Sequence, residues 1–133
     1  MQKLLLAYDG TDPSRRALEL AAFMTKQFGA SLTVVSVVPT HPGRSPIDPW
    51  DDTAAHTAEL VEADRLLRDQ GIEPRLVETA GNVAQTIERI AEAGDYDAII
   101  VGSRGLSMIG RALQGSVSEH VAANASTSVV VAR

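Results

Sequence analysis

The sequence predicts an α/β fold: a single open five-stranded parallel sheet with helices on both faces. Three observations carry that expectation. Short apolar or β-branched runs recur five times along the 133 residues. Segments whose apolar residues keep helical spacing lie between them. Glycine or proline stands at most of the junctions. Strands that alternate with helices imply parallel pairing through right-handed crossovers.

The elements follow in order. "KLLLAY" (residues 3–8) is an apolar run ended by "DGTDPS", as a strand buried on both faces would be. Asp12 before Pro13 reads as the cap and first position of a helix. Ala17, Ala21, Met24 and Phe28, widened by Leu18 and Ala22, form its apolar stripe, and Gly29 stops it. "SLTVVSVV" (31–38) is the second strand, and Pro39 ends it. Residues 39–50 hold four of the six prolines and read as a long loop rather than regular structure. A helix with Leu60, Val61, Leu66 and Leu67 on its apolar side follows. "EPRLVET" (73–79) is a more polar strand suited to an edge. Val83, Ile87, Ile90 and Ala91 mark a third helix closed by Gly94. "DAIIVG" (97–102) and "TSVVVA" (127–132) are the last two strands. Between them Val117, Val121 and Ala122 keep helical spacing. No repeat or internal boundary interrupts residues 1–133, so one domain is expected.

Composition narrows the function. The net charge of -5 argues against nucleic acid as the main partner, which usually needs a basic face. The absence of cysteine excludes disulfides, thiolate metal sites and cysteine nucleophiles. The start "MQKLLLAYDG" lacks the pattern of a signal peptide, and no apolar run approaches the roughly 18 residues of a membrane span. A cytoplasmic protein is expected, with neither nucleic acid nor membrane as partner.

"VGSRGLSMIGRALQGSVSEHV" (101–121) carries four glycines just after the most apolar strand. In open parallel sheets ligands sit beyond the carboxyl ends of the strands, where strand order reverses. "DGTD" leaves the end of the first strand and this segment leaves the end of the fourth. If those strands are neighbours, both overhang one crevice. Gly102 and Gly105 would let the main chain turn tightly or approach a ligand. Gly115 and Ser116 begin the last helix, where amides and dipole favour an anion. The alternative is that the glycines only shape a loop and Ser116 only caps a helix. There is no Walker A loop and no GxGxxG.

The joint pattern Gly102-x2-Gly105-x9-Gly115-Ser116 resembles the nucleotide-binding signature of universal stress protein (UspA-like) domains. So do "LLLAYDGTDPSRRAL", "DAIIVGSRG" and "GSVSEHVAANAS", and the resemblance spans nearly all of the chain. It implies a flavodoxin-related, adenine nucleotide α-hydrolase-like sheet in the order 3-2-1-4-5, which sets the first and fourth strands side by side. It also implies ATP binding, since members with the intact signature bind ATP; AMP or a cyclic nucleotide would suit much of the same cradle. Matched residue by residue, Asp9 faces the ribose or a bound metal such as Mg or Mn. Ala7 lines the adenine site, and the backbone of Val37 and Val38 meets the adenine edge. Val101, Gly102, Gly105, Gly115, Ser116, Val117 and Ser118 surround ribose and phosphates. The last strand, 127–132, is implied to pair with its twin in a homodimer. Two departures stand out: Ser128 replaces a proline common in relatives, and strand two lacks the histidine many of them carry.

Other candidates are weaker. His41, His56 and His120 form no pair with metal-ligand spacing and read as solvated surface histidines. Arg104 and Arg111 lie in the glycine segment, as phosphate contacts or solvated loop residues. Trp50 reads as an anchor of the proline-rich loop or as part of a partner surface, the anchor being preferred. Ser103, Ser107 and Ser118 have no evident histidine and acid partners, so no catalytic constellation emerges. A nucleotide-dependent switch or sensor of the stress response is therefore expected before an enzyme. The enzyme alternative is a slow ATPase or nucleotidyl-transferring relative. "YDGTDPS" faintly resembles the SGGxDS loop of ATP pyrophosphatases, without its leading serine or second glycine.

Overall fold

Five parallel strands form one sheet in the computed structural model, which describes residues 1–39, 49–103 and 127–132. They are β1 (Lys3–Ala7), β2 (Ser31–Pro39), β3 (Arg75–Gly81), β4 (Ala98–Gly102) and β5 (Ser128–Ala132). Among the described residues three helices alternate with them: α1 (Asp12–Phe28), α2 (Pro49–Arg68) and α3 (Val83–Ala93); the helix expected around Val117, Val121 and Ala122 lies outside those residues. The sheet order is β3-β2-β1-β4-β5, with β1 at the centre. After β3 the chain crosses β1 to add β4 and β5, so strand order reverses at β1. The two strands expected to neighbour each other do so: Leu4, Leu5 and Leu6 lie in register with Ala98, Ile99 and Ile100.

Both faces of β1 are covered, which is why its residues read as an unbroken apolar run. Leu4, Leu6 and Tyr8 point to one face, where they meet Ala17, Leu18, Ala21 and Ala22 of α1 and Leu60, Ala63 and Leu67 of α2. Leu5 and Ala7 point to the other, with Val35, Val37, Ile99 and Val101, under Val83, Ala84, Ile87 and Ala91 of α3. Each fully buried Leu or Ile contributes on the order of 2 kcal/mol in transfer free energy. The polar reading of β3 is matched by its place at the edge, where its side chains alternate between exposed and half-buried. Ser128 opens β5 opposite Ala98, so that strand starts in register without a proline.

Local expectations are corrected at several points. The cap of α1 is Thr11, whose side chain accepts a bond from the Ser14 N–H; Asp12 sits inside the first turn and pairs with Arg15 at 3.2 Å. A threonine in extended backbone just before the helix can reach the third amide, which Asp12, already helical, cannot. Regular structure reaches further into the proline-rich stretch than predicted. Pro39 closes β2, and Pro49 and Trp50 open α2, because proline is tolerated at a strand end and in a first helical turn. The Trp50 indole and residues 40–48 lie outside the described residues. Phe28 and Val61 are exposed rather than core. Thr25 makes the last buried contact of α1, and Val61 is turned one residue off the Leu60, Ala63, Leu67 stripe.

At the amino ends of the strands, Asp97 Oδ2 accepts the backbone N–H groups of Gln2 and Lys3 at 2.6 and 2.9 Å. These bonds hold the Asp97 carboxyl below its ordinary range and tie the start of β1 to the turn before β4.

Candidate functional site

All five strands point the same way, so the carboxyl ends of β2, β1 and β4 lie side by side. β1 is the shortest of the three on that side. Its last pairing is Ala7 with Val35, closed by a 3.1 Å bond from the Tyr8 N–H to the Val35 carbonyl. β2 runs on to Pro39, paired only with β3. Backbone groups alternate sides along a strand. Since Val35 faces β1, the N–H and C=O of Val37 face the space beyond the end of β1. Among the described residues no strand pairs this peptide edge, with its one donor and one acceptor, at the reversal of strand order.

The chain leaves β1 sharply. Gly10 has φ of 79°, a left-handed conformation that turns the backbone off the sheet and lets α1 begin two residues later. Asp9, just before it, is half-buried. Its Oδ1 accepts two bonds from Thr11, 3.1 Å from the amide and 2.6 Å from the hydroxyl. The fully buried Ser14 hydroxyl stands 3.4 Å from the Asp9 N–H and donates to the Thr11 carbonyl at 3.0 Å. Burial pushes the Asp9 carboxyl above its ordinary value, the Thr11 and Ser14 bonds pull it down, and the charge of nearby Glu59 pushes it up again.

From the other flank β4 closes on the same turn. A Cβ built on Gly102 would lie 2.6 Å from both the carbonyl carbon and oxygen of Pro13, and 2.9 Å from the Ser14 nitrogen. Gly102 is not among the left-handed glycines. Its backbone needs no glycine; the closeness of α1 does.

Two polar clusters lie on the side of the sheet covered by α1 and α2. The Tyr8 hydroxyl donates to Glu62 Oε1, which also takes Arg15 Nε at 3.2 Å. Burial and then that carboxylate push the Tyr8 hydroxyl well above its ordinary value, while the Tyr8 and Arg15 bonds hold Glu62 down. Beside it, His56 Nδ1 lies 2.8 Å from Ser36 Oγ and 3.0 Å from Glu59 Oε2, with side-chain exposures of 17% for His56 and 24% for Glu59. His56 is therefore no solvated surface histidine. Strand two, which has no histidine of its own, receives one from α2. Among the described residues no group of three His, Cys, Asp or Glu converges to hold a metal, and no helix is long and apolar enough to cross a membrane.

Asp9 should weigh against folding at neutral pH. Its folded-state pKa is raised, so its favourable contribution is complete below the ordinary carboxylate value and is lost as pH rises through the folded value. Asp9→Asn, uncharged and able to accept the same Thr11 bonds, is expected to melt a few degrees higher than the native chain at neutral pH. The gap should close as pH falls below about 4. Thermal denaturation followed by circular dichroism across that range checks both the sign and the closing.

The profile of the universal stress protein family matches residues 1–133. The chain belongs to that family. A universal stress protein of Thermus aquaticus is 31% identical over 133 residues, covering 98% of this chain and 97% of the relative. Among solved structures, a universal stress protein in complex with cAMP has a TM-score of 0.79 at 24% identity, covering 99% of this chain and 97% of the other. The universal stress protein from Archaeoglobus fulgidus in complex with dAMP also gives 0.79 at 24%, covering 100% and 98%. At such identities the likeness speaks for the fold, a flavodoxin-like α/β sheet in the order already described.

Against the family signature, the fold gathers Ala7, Asp9, Val37, Val38, Val101 and Gly102 at the carboxyl ends of three adjacent strands. Ala7, Val37, Val101 and Gly102 are buried there, and Asp9 and Val38 are half-buried. Gly105, Gly115, Ser116, Val117 and Ser118 lie outside the described residues, as do Arg104 and Arg111. Sequence reading missed Thr11, Ser14, Ser36, His56 and Glu59. Two local signals were there to read: Thr11 before Asp12-Pro13 suits a helix cap, and His56 and Glu59 have the three-residue spacing that makes neighbours on a helix.

Proposed function

We propose that this universal stress protein binds an adenine nucleotide across the carboxyl ends of β2, β1 and β4, with ATP the expected ligand. It would act as a nucleotide-dependent switch or sensor of the stress response, with little or no hydrolysis. The observation that carries the reading is the end of β1 at the reversal of strand order, where Asp9 follows the last pairing of β1 and, among the described residues, no strand pairs the β1-facing backbone of Val37. Family membership supports it, as do the cAMP and dAMP complexes of two neighbours of the same fold.

In this reading the adenine edge pairs with backbone of Val37 and Val38, Ala7 and Val101 line the apolar wall, and Asp9 accepts from ribose hydroxyls. Gly102 brings β4 close. Gly105, Gly115, Ser116, Val117 and Ser118 cradle the phosphates through backbone amides and hydroxyls. A divalent cation, Mg or Mn, accompanying the phosphates would find a carboxylate ligand in Asp9. The protein would work in the cytoplasm as a homodimer joined through β5, an edge strand whose outer backbone groups are suited to pair with a twin.

Isothermal titration with ATP, AMP and cyclic AMP, with and without Mg2+, tests the binding, beside a Gly115→Ala, Ser116→Ala variant. Micromolar binding by the native chain and its loss in the variant are expected. No heat and no thermal shift in the native chain, with no nucleotide carried through purification, would overturn the reading.

A further inference from the structure

We infer that Thr11 is the positioning residue of this site: its amide and hydroxyl together clamp one oxygen of Asp9 and aim the other at the ligand. The inference rests on the proposed nucleotide site for its ligand, but the clamp itself is visible without one.

The geometry is specific. The two Thr11 donors converge on Oδ1, at 3.1 Å from N and 2.6 Å from Oγ1, and the hydroxyl contact is the shorter. The amide bond is an ordinary consequence of the turn after an aspartate. The hydroxyl bond is a second, charge-assisted one that a side chain without a hydroxyl would not make. It sets the carboxylate rotamer, because an oxygen held from two sides cannot swing. With Oδ1 committed, Oδ2 is the oxygen that meets a hydroxyl from the crevice.

Thr11 has a structural duty as well, since its side chain caps α1 by accepting from the Ser14 N–H at 3.4 Å. The experiment must separate the two. Glycine at a cap costs only a few tenths of a kcal/mol, so Thr11→Gly removes the hydroxyl, and with it the bond from the Ser14 N–H, while sparing most of the stability of the helix start. Thr11→Val removes the hydroxyl and keeps the β-branched shape. Thr11→Ser keeps the hydroxyl.

The readouts are the orientation of the Asp9 carboxylate in ligand-free crystal structures of the variants, and the affinity for AMP by calorimetry without metal. In Thr11→Gly and Thr11→Val the Asp9 carboxylate should leave its native rotamer, and AMP should bind roughly tenfold more weakly. Thr11→Ser should restore both. A merely structural role would lower the melting temperature and leave the carboxylate in place, which would overturn the inference. So would a carboxylate that moves while AMP affinity does not. If the native chain binds no AMP, ATP or cyclic AMP, the proposed function fails, and an unmoved Asp9 carboxylate would sink the clamp independently.

Discussion

Gly102→Ala is expected to melt roughly 10 °C below the native chain, a loss of about 3 kcal/mol. The added methyl would sit 2.6 Å from two backbone atoms of Pro13 and 2.9 Å from the Ser14 nitrogen. None of these is the end of a flexible side chain. To make room, the first turn of α1 must lift from β4, against the packing of Ala17, Leu18 and Ala21 on the sheet. Alternatively β4 must shift, against its register with Leu4, Leu5 and Leu6 on one side and five β5 residues on the other. Either movement displaces Ser14 and Thr11, which hold Asp9, so under the proposed function the variant should lose nucleotide binding beyond what its stability loss explains. Urea denaturation gives the stability, and calorimetry at a temperature where the variant is folded gives the binding. A variant as stable as the native chain would mean that β4 and α1 do not approach so closely.

Ile87→Ala should cost about 2–5 kcal/mol, the range for truncating a large aliphatic residue in a core. Ile87 is fully buried and is the largest buried side chain of α3, which covers Leu5, Ala7, Val35, Val37, Ile99 and Val101. Val83, Ala84 and Ala91, its buried apolar neighbours on that helix, are smaller and cannot close the void. Ile87→Val, which removes one methylene, should cost only about 0.5–1.5 kcal/mol. The pair is read from urea midpoints at unchanged slope. Equal losses for the two variants would mean that the site collapses around alanine. Because α3 backs the face that carries Ala7, Val37 and Val101, the alanine variant should also loosen the apolar wall of the crevice.

Much of the fold was legible because its signals are local. The run "LLLAY" reads as doubly buried because it lies at the sheet centre with helices on both faces. Helical spacing found Ala17, Ala21, Ile87 and Ala91, and polarity placed β3 at an edge. The strand order did not come from periodicity; it came with the family resemblance, and pairing confirms it. The departures fall where a local rule meets a competing local one. Thr11 and Asp12 both suit a cap, and one step of backbone conformation decided for Thr11. Prolines suggested that residues 39–50 were all loop, yet a first helical turn accepts Pro49.

The candidate site divides in the same way. By itself the sequence determined the strand ends that carry it and the acid at the end of β1, since burial runs and a turn after Asp9 are written in consecutive residues. Only the tertiary structure decided what Asp9 and Gly102 meet. Glu59 comes beside Asp9 from a helix about fifty residues away, and His56 reaches Ser36 across twenty. Gly102 read as a bend or a ligand approach, and the fold shows a third cause, the backbone of Pro13 and Ser14 pressed against it. The physical reason is one of range. Propensity and periodicity act through neighbours along the chain, whereas close approach and desolvation depend on which distant segments the sheet brings together.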